Sequence, residues 1–366
     1  MKHLLLITLL LSGVALMAQQ TIQSKVLDKS TNEPIAFAHV VCGDISTITN
    51  SDGEFVITPS SPDRLNISYV GYQIYSTKTT GDIPKIIYLD PSSTDLDAAT
   101  TTTNGESIMR EFWNRRIINY DLEALRTTSY YKEKLIKSNS LTYLAEGIMD
   151  ILKPANVNQE GVKIVPIKSR KMIEPNFVLD PVYIQGNAFD MVVSSIWREN
   201  SFLSKSEMKH YEFTNKGKLA YGDKNVYLVT FEPRTGKGYV SGTLYINDSD
   251  YAIVKMEYTP DSSLSDFWES VRWEEEFEMH KGSYVLSSVR YYGTYMDLKE
   301  HCEFEAVLLN NKISDENIDT FPATLLDEKD VFLKKASSDF SDSFWEQYNF
   351  LRLTKEELSS EAQLSK

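Results

Sequence analysis

The residues of this 366-residue chain whose types could do chemistry are five histidines, two cysteines and a run of glutamates. A hydrolytic zinc site of the His-x-x-Glu kind needs that pair plus a distant His, so that three ligands hold the metal and a fourth position takes water. Three residues after His39, His210, His280 and His301 stand Cys42, Phe213, Ser283 and Phe304, so the pair is absent, as is any His-Glu-x-x-His. The fifth, His3, lies in a segment expected to be removed. Glu300-His301-Cys302-Glu303 supplies donor types, but in a strand His301 and Glu303 share one face while Glu300 and Cys302 share the other, so at most two converge. His39 and Cys42, three apart in a strand, fall on opposite faces, which removes a thiol–imidazole pair. Asn50-Ser51-Asp52-Gly53 has Ile48 and Pro59 where a calcium loop requires an acid and a Glu, and reads as a hairpin turn. No Gly-x-Ser-x-Gly elbow, Walker loop or Gly-x-Gly-x-x-Gly occurs. The expectation is no catalytic residue, no metal site and no cofactor.

Glu274, Glu275, Glu276 and Glu278 keep a glycosidase-like carboxylate pair open, because that chemistry needs spatial rather than sequential proximity. The plainer expectation is a solvated acidic face. The 21 Tyr, 16 Phe and 5 Trp could line a ligand pocket or a glycan surface; in β-rich chains such residues mostly make cross-strand pairs. With 38 Lys and Arg against 52 Asp and Glu the net charge is −14, which repels nucleic acid and anionic membrane as main partners. A content of 42% hydrophobic and 25% charged residues is globular, the length predicts two or three domains, and two cysteines exclude a disulfide scaffold. Cys42 and Cys302 are expected as lone buried thiols, although an oxidising compartment would permit them to pair.

The elements that must position these residues start after residue 18. Met1-Lys2-His3, the apolar run Leu4 to Met17 and Ala18 before Gln19-Gln20 read as a secretory signal peptide, too short for a comfortable transmembrane helix. Cleavage after Ala18 removes only Lys2 among the charged residues, leaving 37 basic against 52 acidic groups, a net of −15. No cysteine follows the cut, so no lipid anchor is expected there. Residues 19–90 carry six or seven short strands with turns at Asn32-Glu33-Pro34, Ser51-Asp52-Gly53 and Pro59 to Asp63, the pattern of a small sandwich. Residues 91–104, rich in Thr and Ser, read as a linker. In 105–350 a helix comes first, with Thr103 and Glu106 spaced as a capping box and Ile108, Met109, Phe112, Trp113, Ile117 and Tyr120 as its core stripe. Long alternating runs follow, of which "SYVLSSVRYYGTYMD" and "CEFEAVLLN" pair as a late antiparallel ribbon. "VRWEEEFEMH" puts Arg272, Glu274, Glu276 and Glu278 on one face and Val271, Trp273, Phe277 and Met279 on the other, predicting a sheet with a wet outer surface. Residues 351–366 read as a polar tail.

"KVLDKSTNEPIAFAHVVCGD", "TNSDGEF" and "LNISYVGYQ" resemble, in order and spacing, the carboxypeptidase regulatory-like domain, a transthyretin-like β-sandwich of many exported Bacteroidetes-type proteins. The resemblance implies a fold and no catalytic residue, since that domain packs beside the catalytic domain of zinc carboxypeptidases. "YYKEKLIKSNSLTYLAEGIMDILK", "GTLYINDSDYAIVKMEY" and "FWEQYNFL" are similar to the C-terminal portion of proteins known only as carboxypeptidase-like regulatory domain-containing. The long sheet with a preceding helix resembles the half-barrel of periplasmic lipoprotein carriers. The expected fold class is therefore mostly β: a small transthyretin-like β-sandwich, then a helix and a large, curved, half-barrel-like antiparallel sheet.

The leading functional expectation is an exported, non-enzymatic binding or scaffold protein of the cell envelope, periplasmic or outer-membrane associated, with an envelope protein or lipid as partner and no nucleic acid. One alternative is a lipid or lipoprotein carrier using the interior of the sheet. Another is a cryptic hydrolase. A membrane barrel is disfavoured: about 260 residues follow the linker, too few for a plug and 22 strands, and Glu and Lys fall where lipid would lie.

Overall fold

The computed structural model describes residues 21–92, 104–120, 123–154, 161–175, 177, 188–198, 201–261, 267–314, 326–337, 344–347 and 351–364. The signal segment expected at 1–18 and most of the linker expected at 91–104 lie outside these residues.

Seven short strands form the first unit: β1 (Ile22–Asp28), β2 (His39–Cys42), β3 (Ile45–Ile48), β4 (Glu54–Ile57), β5 (Arg64–Ser68), β6 (Tyr75–Lys78) and β7 (Ile86–Leu89). They make two sheets, ordered β4-β1-β7 and β3-β2-β5-β6. Their alternation turns Val26, Val40, Phe55, Leu65, Ile67 and Ile87 into one shared core. The Asp52-Gly53 turn demands glycine, because Gly53 has φ +76° and a Cβ there would lie 2.5 Å from the Val26 carbonyl.

Helix α1 (Gly105–Asn119) follows, capped by the Asn104 side chain, which accepts from the Ser107 amide at 2.8 Å. The cap is thus one residue later than the expected Thr103. Ile108, Met109 and Phe112 are buried, and so is Tyr120 just beyond the helix, whereas Ile117 is 67% exposed. Ile117 stands five residues past Phe112, about 140° round the helix, and so leaves the buried stripe.

The second unit is a ten-stranded antiparallel sheet, curved and not closed into a barrel. Its strands are β8 (Leu125–Lys137), β9 (Ser140–Lys153), β10 (Lys163–Ile173), β11 (Tyr211–Tyr221), β12 (Lys224–Pro233), β13 (Val240–Asn247), β14 (Ile253–Pro260), β15 (Trp268–His280), β16 (Ser283–Asp297) and β17 (Glu300–Ser314). Their order is β10-β9-β8-β17-β16-β15-β14-β13-β12-β11. Each neighbouring pair but one is consecutive in the chain; the exception joins β8 to β17, with Tyr131 opposite Leu308 and Glu133 opposite Ala306. Two-residue turns at Ser138-Asn139, Lys281-Gly282 and Leu298-Lys299 take positive φ at both positions, matching the strand twist. The expected ribbon of β16 with β17 is present.

One face of the sheet, here the inner face, is covered by α1, by α2 (Ala188–Val192) with the turns after it, and by α3 (Phe332–Lys335). The sandwich docks on the outer face, together with α4 (Phe344–Gln347) and α5 (Lys355–Leu364). Ile48 packs there with Tyr130, Ile148, Val307, Leu309, Trp345 and Leu351. Asn311 Nδ2 donates to the Ser46 carbonyl at 2.8 Å, and the Gly71 amide to the Ala220 carbonyl at 3.0 Å.

This docking corrects two expectations. The outer face is not a wet acidic surface: Glu274 and Glu276 are buried, because Lys255 and Arg290 on the neighbouring strands and Arg272 on their own interleave with them and neutralise the row. Lys132 and Lys134 meet Glu357, Lys134 and Arg290 meet Glu305, Arg272 meets Glu274 and Glu257, and Lys255 meets Glu276. The stretch from Leu351 is not a solvated tail either, since Leu351, Leu353 and Glu357 are buried against this face.

Candidate functional site: an apolar cleft on the inner face

Strand alternation delivers Trp273, Glu275 and Phe277 to the inner face, opposite Tyr291, Val289 and Leu286. A bulge between Glu276 and Phe277 keeps Phe277 in step with Leu286. Over this floor runs the segment 192–198, folded by a turn in which the Trp197 amide donates to the Ser194 carbonyl at 3.1 Å.

Glu275 fastens that segment down. Its carboxylate accepts from the Ser194 hydroxyl at 2.5 Å, the Ser195 hydroxyl at 2.6 Å, the Ser195 amide at 3.1 Å and the Tyr258 hydroxyl at 2.9 Å. A buried carboxylate with four donors is satisfied without a cation. Burial pushes the Tyr258 hydroxyl well above its ordinary pKa, with the Glu275 charge adding to the rise, so it stays a donor.

Between the segment and the floor lies a cleft. Val192, Val193 and Trp197 form one wall, Tyr120 closes one side, and Phe277, Leu286, Ile313 and Ile151 form the floor. Its enclosed volume is about 60 Å³, roughly four to six water-sized volumes. The rest of the inner face is filled by packed side chains, so the sheet offers a narrow slot rather than an open trough. Helix α1 covers the end formed by β11 to β14 and does not seal it.

The polar atoms in the slot are mostly used internally. Asn310 accepts from Ser129 at 2.8 Å and donates to the Leu286 carbonyl at 2.7 Å, and Thr127 pairs with Ser129 at 2.8 Å. Tyr120 donates to the Ile253 carbonyl at 2.8 Å, and its ring meets Phe277 edge-on at 5.5 Å. Apolar walls with few free polar groups suit a hydrocarbon chain. Next to the Trp197 wall, Arg116, in the last turn of α1, lies against the rings of Trp113 and Trp197, 3.9 and 4.4 Å from their centroids.

The residues singled out by type do not assemble into a site. His301 is half-exposed beside Glu269 and Glu303, at 3.5 and 3.6 Å, while Cys302 is buried on the inner face. His39 turns outward to Glu278 at 3.3 Å and Cys42 inward to the sandwich core, as their three-residue spacing requires. Both thiols are free, and burial pushes both up from the thiolate range. Among the described residues no group of three His, Cys, Asp or Glu side chains is placed to hold a metal, and no helix is long and apolar enough to cross a membrane.

Of the four clustered glutamates, Glu275 alone carries the cleft, and it went unassigned in the two-face reading. Its phase was available: Glu275 stands midway between Trp273 and Phe277, in step with both. The cleft's other walls come from separate segments spread along the chain from Tyr120 to Ile313 and leave no local signature.

Residues 22–100 match the family described as the CarboxypepD_reg-like domain. The sandwich is a carboxypeptidase regulatory-like domain. That domain is non-catalytic, and the match leaves α1 and the ten-stranded sheet outside it. No curated protein matches the chain. Among solved structures, a candidate outer membrane lipoprotein-sorting protein domain from Vibrio parahaemolyticus is 14% identical, covering 63% of this chain and 98% of its own, with a TM-score of 0.32. A DUF1329 family protein from Desulfovibrio piger is 10% identical, covering 59% and 95%, with a TM-score of 0.27. Superpositions that loose establish no shared function.

Proposed function

We propose that this chain is an exported, non-enzymatic binding protein of the cell envelope whose inner-face cleft takes the apolar chain of a lipid or lipidated partner. The observation that carries the reading is the slot itself, with Val192, Val193, Phe277, Leu286 and Ile313 around it and its polar neighbours satisfied within the protein. The apolar run from Leu4 to Met17 supports export, and a lipid-rich compartment supplies the ligand class. The enclosed volume admits a few methylenes, so the end of a chain seats in the slot and the remainder lies along its open side.

The test is N-phenyl-1-naphthylamine fluorescence with the mature protein, together with native mass spectrometry of protein purified gently from its own envelope fraction. Saturable dye binding that is lost in Val193→Asp and kept in the surface control Ile167→Asp is expected. Absence of saturable binding overturns the reading. A second reading, a scaffold, is favoured by the docking of the regulatory-like domain, which joins the two units through Ile48 and Asn311. Cross-linking in intact envelopes that captures one specific protein, with no bound lipid mass, would select it.

A further inference from the structure

We propose that the ligand of this cleft is an anionic amphiphile, whose carboxylate or phosphate head is held at the rim by Arg116. The proposal rests on the cleft reading above and adds the class of head group.

The argument begins with charge. Arg126, Arg170, Arg272 and Arg290 each end on a carboxylate, at Asp150, Glu146, Glu257 and Glu305. Arg116 ends on none among the described residues. Its Nη1 donates to the Ile196 carbonyl at 3.1 Å, and its Nε is buried without any partner. A guanidinium binds carboxylate or phosphate side-on through Nε and Nη2, an edge that receives no contact from the described residues. An unmet donor is costly, and an anion that parts the tryptophan rings to reach Nε, which is closed to solvent in the free protein, would satisfy it.

Position supplies the second part. Trp197 lines the cleft on one side and carries the Arg116 guanidinium on its ring. A head group on Arg116 therefore lies one aromatic ring from the slot that takes its chain. The two tryptophans hold the guanidinium partly out of water, where a cation–π contact is strongest. Ile117 and Ile118, 67% and 77% exposed, extend apolar surface next to the charge. The arrangement is that of an amphiphile's own chemistry in negative: a cation at the rim, hydrocarbon within. The net charge of −14 argues against attraction by the whole molecule, so selection for an anion has to be local.

The experiment is displacement of N-phenyl-1-naphthylamine from the mature protein by oleate, 1-oleoyl lysophosphatidate, oleyl alcohol and inorganic phosphate. At least one of the two anionic amphiphiles is expected to displace the dye at about tenfold lower concentration than the alcohol, the effect of one charge-assisted contact. Whichever acts more strongly identifies a carboxylate or a phosphate head. Inorganic phosphate alone is expected to displace nothing and to leave lysophosphatidate unaffected. Arg116→Gln should abolish the preference while the alcohol displaces as before, and Arg116→Lys, which keeps charge without the side-on edge, should retain part of it. Equal displacement by acid and alcohol, or a preference that survives Arg116→Gln, overturns the proposal. Competition by inorganic phosphate overturns it as well, making the rim a free-anion site. Failure of the dye to bind at all would instead overturn the cleft reading.

Discussion

Glu357 is the most heavily committed side chain of the C-terminal segment, and replacing it with Gln tests how that segment is held. Its carboxylate accepts from Lys132 Nζ at 3.0 Å and Lys134 Nζ at 2.9 Å, and from the Thr354 amide at 2.9 Å. The Glu357 amide in turn donates to the Thr354 hydroxyl at 3.1 Å, completing a capping box at the start of α5. Gln can keep the cap but not the charge, so Glu357→Gln isolates the ion pairs. Removing one member of a buried pair costs about 3–5 kcal/mol. Lys134 retains Glu305 at 3.1 Å, which places the expected loss near the lower end, at about 3 kcal/mol. For a unit of this size that corresponds to a fall of roughly 6–12 °C in Tm. The loss should depend on pH in a defined sense. Burial alone would raise the pKa of Glu357, but Lys132 and Lys134 outweigh it and hold the carboxyl down to about 2, against 4.5 ordinarily. A depressed pKa contributes stability that is full above about 4.5 and lost as pH falls toward 2. Thermal and urea unfolding of both proteins from pH 7 to pH 3 should therefore show a gap that is constant above 4.5 and narrows below it. A gap under about 1 kcal/mol at pH 7, or one that does not change with pH, would refute the reasoning.

Three further outcomes follow from the same geometry. Burial works against a charged His39, but Glu278 at 3.3 Å outweighs it and raises the pKa, so the ion pair is complete below 6.5 and lost as pH rises through the folded value. Glu278→Gln should accordingly lower Tm at pH 6 by an amount that shrinks as pH rises, and a loss that does not change with pH would refute the pairing. Leu298 and Lys299 take φ of 48° and 87°, at a cost of about 1–2 kcal/mol per residue, so Leu298→Asn with Lys299→Gly should raise Tm by several degrees, checked by calorimetry. Glu275→Gln sets an amide among four donors and should cost about 1–3 kcal/mol while loosening the 192–198 wall, read as weaker dye binding; unchanged binding and stability would count against Glu275 as its anchor.

Much of the architecture was legible along the chain, because period-two alternation and turn residues act over a few positions. The sandwich strands, the Asp52-Gly53 hairpin, the β16–β17 ribbon and the inward set Trp273 and Phe277 follow from such local rules. The Thr354-x-x-Glu357 box was equally local and was lost to the polar composition around it. Within the helix stripe Ile117 alone is strongly exposed while Tyr120 beyond it is buried, and nothing in Ile117 itself distinguishes the two.

Composition and alternation by themselves determined a β-rich, acidic chain with two units and without a His-x-x-Glu pair. Tertiary structure alone decided the rest. Pairing β8 with β17 brings residues about 180 positions apart side by side, and alternation along each strand cannot announce which other strand will meet it. That same pairing sets Lys134 beside Glu305, while Lys255 and Arg290 on the strands flanking β15 turn the row of Glu274 and Glu276 into a buried, neutralised one. Arg116, which reads along the helix as one more surface charge, meets no carboxylate among the described residues and lies against the ring of Trp197, 81 positions away, as well as that of Trp113. Charge neutralisation and cleft formation depend on which side chains converge from distant segments, and that convergence exists only once the sheet has formed.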